Sequence, residues 1–248
     1  MMISLIRCSK AEYQKYKHSV LPYIHVIVPT ICAIIFAGYY HISAWELSAK
    51  ISGYLEVLAV AFPFLIGIIV GIVVQTEEQA GHFQIMLGTI ASRKMVYIGK
   101  VNFLICNAFG SIILALGIFA VLYKGFPTIF YIRTGLLLLL TSIPIYLIHL
   151  FVGMNFGKGA SMGLGIAGSL ISALMITGLG DNIWHYIPWA WSVRMVDYTI
   201  LAWKNPYVYT QMKEIFASGI IISEIFTIGL LIVSLIWFQH WEGGKYSE

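Results

Sequence analysis

Six apolar runs dominate this chain, each long enough for a helix to cross a bilayer, which needs about 20 residues. They lie near Leu21–Tyr40, Leu55–Val74, Tyr97–Leu122, Thr134–Met154, Ser161–Gly180 and Ser218–Phe238. Residues 57–74 and 101–123 contain no Asp, Glu, Lys or Arg at all. Only 10% of the chain is charged, against about 25% in a soluble domain. These runs predict an all-α membrane protein with six transmembrane helices, forming a single transmembrane domain over residues 1–248. Little mass is left for a soluble domain, and none for a nucleotide-hydrolysing fold.

Charge orients the prediction. Arg7, Lys10, Lys15 and Lys17 precede the first run, in a segment too long for a secretory signal and without a clear small-residue cleavage site. The first run is therefore read as a retained span. With the N-terminus inside, nine of the 15 Lys and Arg residues fall on the cytoplasmic side, which favours that orientation. Both termini are then cytoplasmic in a multi-pass protein of the cell membrane. The net charge of +4 is mostly this inside bias, so nucleic acid is not expected as a partner. Cys8, Cys32 and Cys106 share no metal-ligand spacing and read as small apolar residues.

Three polar segments carry helical patterns of their own. In residues 1–19, Ile3, Ile6, Tyr13 and Tyr16, with Val20 just beyond, form a stripe interrupted by Lys10 and flanked by Lys15 and Lys17, which predicts an N-terminal interfacial helix. In the loop 75–96, Thr76 and Gln79 have capping-box spacing, and Glu77 and Glu78 fall in the first turn, where the helix dipole favours acids. Phe83, Met86, Leu87 and Ile90 follow at i, i+3, i+4 and i+7, on one greasy face where a soluble partner could dock. In the long loop 181–217, Trp189, Val193, Val196, Ile200 and Trp203 form a stripe with Arg194 and Asp197 opposite, and Asn205–Pro206 stops the helix. This predicts an outer interfacial helix. Five of the seven Trp map to the outer side, as an aromatic belt or as a belt that also touches substrate.

Other motifs dissolve in context. Gly163, Gly165 and Gly168 match a dinucleotide fingerprint, but no strand precedes them and no acidic residue follows at the needed distance. Together with Gly159, and with Gly67 and Gly71 in the second run, they fit close helix packing in a membrane. Gly153–Lys158 is one residue short of a phosphate loop and lacks the following Ser or Thr. Glu56 reads as an outer-interface residue, and Glu224 as facing a cavity or a subunit contact. His149 reads as bonding a neighbouring helix, and Pro29, Pro63 and Pro144 as kinks. No catalytic set and no metal cluster has a working spacing.

The whole arrangement resembles a permease of type 2 ABC exporters. The segment Glu77–Leu87, followed by Ser92, Arg93, Lys94 and Lys100, resembles the cytosolic coupling region of that superfamily. Within it the chain is most similar to permeases of lantibiotic self-immunity transporters, the MutG/LanG kind, with the sister MutE/LanE kind sharing the architecture. The supporting segments are Lys15–His18, His25–Pro29, Tyr54–Glu56, Ala61–Pro63, Trp184–Trp191 and Trp241–Gly243. The resemblance implies two copies of an ATP-binding subunit that hold ATP and Mg, so that this chain has no cofactor and no ATPase site of its own. It also implies a second permease, often a paralogue, and removal of a lantibiotic peptide from the membrane. Carried onto this chain, it makes Glu77, Glu78, Phe83, Met86 and Leu87, with Ile90 on the same face, the ATPase-docking surface. The aromatic loop suggests Trp189, Trp191, Val193, Trp203 and Glu224 as substrate contacts. The competing expectations are a type 2 permease for another lipid or amphiphile, a secondary transporter and a non-transporting membrane scaffold.

Overall fold

Hydrocarbon offers the backbone no hydrogen-bond partner, so long apolar segments satisfy their own amides as helices. A computed structural model describes the backbone of residues 2–243 and the side chains of residues 5–243, and it contains no strand among them. The helices are α1 (Met2–Tyr16), α2 (Leu21–Ile42), α3 (Leu47–Gln79), α4 (Gln84–Leu87), α5 (Arg93–Leu122), α6 (Thr128–Met175), α7 (Pro188–Lys204) and α8 (Pro206–His240). Five of them, α2, α3, α5, α6 and α8, are long and apolar enough to cross a membrane. The chain is an all-α, multi-pass membrane protein.

The sequence gives six runs and the structure five such helices because the fourth and fifth runs share α6. That helix breaks at Gly157, whose φ of 85° and ψ of 176° lie outside the helical region. A Cβ would make this positive φ costly, which is why glycine stands there. The break is a reversal. His149 Nδ1 lies 3.1 Å from Ser161 Oγ, whereas 12 residues of unbroken helix would separate them by about 18 Å. The two arms of α6 therefore run side by side, with α3 packed against both.

Small residues set that packing. A Cβ on Gly67 would meet the Ser161 carbonyl at 2.8 Å and the Gly165 Cα at 3.0 Å, and one on Gly165 would meet the Pro63 carbonyl at 2.8 Å. Ser161 Oγ donates to the Gly67 carbonyl at 3.1 Å, closing the same contact. Gly168 receives the Trp189 ring. Gly159 and Gly163, expected to share this packing, face open space. The small-residue stripe is thus Gly165 and Gly168, one face of the second arm, and not the whole glycine pattern.

The loop 181–217 departs most from expectation. Instead of an interfacial helix lying flat, α7 starts inside the bundle. Ser172 Oγ donates to the Trp189 carbonyl at 2.5 Å, and Ser192 Oγ meets Thr141 Oγ1 at 2.8 Å. At its far end, Trp203 packs on Phe126 at 5.5 Å between ring centroids. Val193, Val196 and Ile200 are buried among α3, α5 and α6 residues. The apolar stripe is real, but it faces protein rather than lipid, because the turns at 178–187 fold the chain back before α7 begins. Asn205 does mark the boundary, its side chain accepting from the Val208 amide at the start of α8.

Gly165→Ala should lower the thermal unfolding midpoint in detergent, since overpacking costs about 1–3 kcal/mol. Gly163→Ala should leave the midpoint unchanged or slightly raised. Equal effects of the two substitutions in a thermal-shift assay would refute the assigned packing face.

Candidate functional site

At the end of the bundle that carries residues 75–100, three buried charges meet a fourth, Lys15, at the rim. Glu12, Lys15 and Tyr16 lie on one side of α1 through their i, i+3, i+4 spacing. Glu77 comes from the last turn of α3, and Lys100 from the second turn of α5. Lys100 Nζ lies 2.5 Å from Glu12 Oε2 and 2.6 Å from Glu77 Oε1. Lys15 Nζ lies 2.8 Å from Glu12 Oε1 and 2.8 Å from Glu77 Oε1. The Lys100 side chain is 0% exposed, and those of Glu12 and Glu77 are 4% and 3% exposed. Tyr16 closes the cluster, its hydroxyl within 3.3 Å of both Glu77 Oε1 and the Val73 carbonyl.

Two carboxylates and two ammonium groups leave this cluster neutral, which is the condition for burying it. Burial, and then the charge of Lys100, oppose protonation of Lys15, but Glu12 and Glu77 outweigh them and hold its pKa above the usual lysine value. Such a cluster adds little net stability over an apolar core, yet removing one member leaves an uncompensated buried charge. Its effect is to fix geometry. Helix α1 is tied to α3 and α5 at one register, supported by Cys8 against Gly99 and by Tyr16 stacked on Phe103 at 5.3 Å.

The turn after Glu77 projects from this anchored base. The expected helix start at Thr76 is absent. Helix α3 runs on to Gln79, and Thr76 Oγ1 donates back to the Ile72 carbonyl. The chain then passes through three successive residues with positive φ, Gly81 at 104°, His82 at 49° and Phe83 at 66°. These end α3, and only the four-residue α4 follows. Phe83 and Met86 turn inward and are buried, Phe83 edge-on to Trp241 at 5.0 Å. Arg93 donates to the carbonyls of Gln239 and Trp241 at 3.0 and 2.8 Å, so the end of α8 joins the same base.

The four apolar residues expected on one exposed face are therefore divided. Phe83 and Met86 belong to the core, Leu87 is half-buried, and Ile90 is fully exposed. Glu77 is an internal ion rather than a surface acid, and Glu78 is half-buried. The outward surface of the turn is His82, Gln84, Ile85 and Ile90. In the sequence Lys15 reads as an orientation charge beside the N-terminal stripe and Lys100 as an orientation charge of the coupling-type segment, and Glu12 has no reading at all. The available signal was Lys100, a lone cation inside the run that begins at Tyr97.

The opposite, aromatic end gathers the other expected residues unevenly. Trp191 and Val193 are buried, and Trp191 Nε1 donates to the His185 carbonyl at 3.0 Å. Trp189 is half-buried against Gly168. Trp203 alone among these residues is substantially exposed. Glu224 is half-buried in α8 and makes no hydrogen bond or ion pair among the described residues. Arg194 pairs with Asp181 at 2.9 Å. Burial, reinforced by the Glu56 carboxylate and opposed by Arg194, pushes Asp197 up to about 7. No group of three or more His, Cys, Asp or Glu side chains gathers to hold a metal among the described residues.

Comparison with known proteins gives no matching family model and no matching curated protein. Fold and site together define the class, a polytopic helical membrane protein with an ion-locked turn at one end of its bundle.

Lys100→Met should destabilise the protein by about 3–5 kcal/mol, the range for breaking a buried pair. Lys100→Met combined with Glu12→Gln leaves one lysine facing one carboxylate and should recover part of that loss. A double variant no more stable than Lys100→Met in detergent unfolding would contradict the shared cluster. Asp197 gives a separate pH signature. Its pKa is raised in the folded state, so the unfolded chain ionises first and stability falls as pH rises from about 4 to about 7. Asp197→Asn should therefore stabilise little near pH 4 and most above pH 7, as read by thermal unfolding across that range.

Proposed function

We propose that this chain is a permease subunit of an ATP-driven type 2 ABC exporter of the lantibiotic self-immunity kind. It sits in the cell membrane with both termini in the cytoplasm. ATP and Mg belong to a pair of ATP-binding subunits, and a second permease, a paralogue, completes the transmembrane pathway. The work is removal of an amphipathic antimicrobial peptide from the membrane.

One observation carries this reading. The turn 80–92 presents His82, Gln84, Ile85 and Ile90 outward, while its inward residues reach the core beside α1, α3, α5 and the end of α8. A push on such a surface moves four helices together, because packed interiors transmit displacement rather than absorb it. That is what a permease driven by a soluble ATPase requires. A secondary transporter instead calls for paired ionisable groups near mid-membrane, and the paired charges here lie at the end of the bundle. A type 2 permease for another amphiphile shares every feature of the joint and differs only in cargo.

The docking surface is thereby revised to Ile85 and Ile90 with His82 and Gln84. Ile85→Asp with Ile90→Asp should abolish co-purification of the cognate ATP-binding subunit while leaving the unfolding midpoint of the permease unchanged. Phe83→Asp should lower that midpoint, because it buries a charge beside Trp241. An undiminished complex with the Ile85/Ile90 double variant would sink the docking assignment. Transport by the purified chain with no ATPase present would sink the exporter reading.

A further inference from the structure

A groove at the aromatic end has the chemistry of an anionic amphiphile site. It encloses about 380 Å³ where α6, α7 and α8 meet, at the small end of the roughly 300–1,000 Å³ typical of small-molecule sites. Phe130 and Leu137 of α6, Tyr198 and Trp203 of α7, and Phe216 and Ile220 of α8 supply apolar walls. The charged residue lining it is Arg133, in the second turn of α6. Arg133 is exposed and has no hydrogen bond or ion pair among the described residues. No carboxylate lines the groove.

A second cation stands nearby. Tyr209 also lines the groove, and Lys213 lies four residues after Tyr209 and three before Phe216, on the same stripe of α8. Lys213 is exposed and likewise without an ion-pair partner among the described residues. The side of the groove is open, since Ile129, Leu136 and Trp203 line it and remain largely exposed. Ile129 and Leu136 belong to α6, a helix long and apolar enough to cross a membrane, so the bilayer itself can supply an occupant sideways.

We infer that this groove binds an anionic phospholipid of the leaflet that meets the aromatic end. The phosphate sits on Arg133 with Lys213 beside it, and the first part of one acyl chain lies along Phe130, Leu137 and Phe216. Basic residues at the headgroup level, between membrane helices, recognise such lipids by charge. A zwitterionic headgroup would bring its own cation to two unneutralised ones, so charge complementarity selects the anionic class. The inference does not depend on the transport reading, because it concerns lipid occupancy and not cargo.

The test uses the full chain in phosphatidylcholine nanodiscs containing a rising fraction of chain-brominated lipid, which quenches tryptophan on contact. The Trp203 signal is taken as the difference between wild type and Trp203→Phe. Brominated phosphatidylglycerol should half-quench that signal at a mole fraction about five-fold or more below that needed for brominated phosphatidylcholine, the preference expected from one well-placed cation. Arg133→Gln should abolish most of the preference, Arg133→Lys should retain it, and Lys213→Gln should reduce it. Equal quenching by the two lipids in the wild type overturns the inference, as does an undiminished preference in Arg133→Gln.

Discussion

Burying Lys100 between Glu12 and Glu77 is the constraint on which one end of this protein depends. An ammonium group with no exposure to water must be neutralised by its neighbours, and the placement of three helices does so here. Helix α1 must put Glu12 inward, α3 must persist to Glu77, and α5 must enter the bundle with Lys100 facing both. Lys15 then balances the second carboxylate from the rim. Because separating α1 would strand a buried charge, the cluster holds α1 against the bundle. The turn at 80–92 gains a fixed base for the same reason.

The opposite end is built on other terms. There, the close packing of helices rests on glycines and hydroxyls, with the Arg194–Asp181 pair beside it. Gly67, Gly165 and Gly168 let α3, the second arm of α6 and α7 approach closely, and Ser172, Ser192 and Thr141 satisfy polar atoms at the contact. Starting α7 inside the bundle draws Trp189, Trp191 and Val193 into it. Trp203 is left at the rim beside a groove with unneutralised cations. The molecule thus has an ion-locked end and a glycine-packed end.

Much of this was legible in the chain itself. Apolar runs free of charge leave helices as the outcome whatever the tertiary arrangement, because unsatisfied amides in hydrocarbon are too costly. The amphipathic character of residues 2–16, the helix over 188–204 and its stop at Asn205–Pro206 follow from local periodicity and turn chemistry. His149 was read as a hydrogen-bonding residue between helices, and it bonds Ser161 across the reversal at Gly157. Periodicity, however, identifies a stripe without saying what covers it. The stripe on α7 meets protein and not lipid, and the stripe over 83–90 is split by positive φ at Gly81, His82 and Phe83.

What the sequence by itself determined is class and inventory, a helical membrane protein with a polar turn between its second and third apolar runs and aromatics collected in one long loop. Hydropathy and period are local quantities, and they suffice for that. Tertiary structure alone decided that Glu12, Glu77, Lys15 and Lys100 form one neutral cluster, although Glu12 and Lys100 stand 88 residues apart. It also decided that Phe83 faces inward while Ile85 and Ile90 face out, and that Arg133 and Trp203 share a groove. The physical reason is that charge balance and close packing are properties of neighbours in space, and nothing in a residue's own stretch of chain records who those neighbours are.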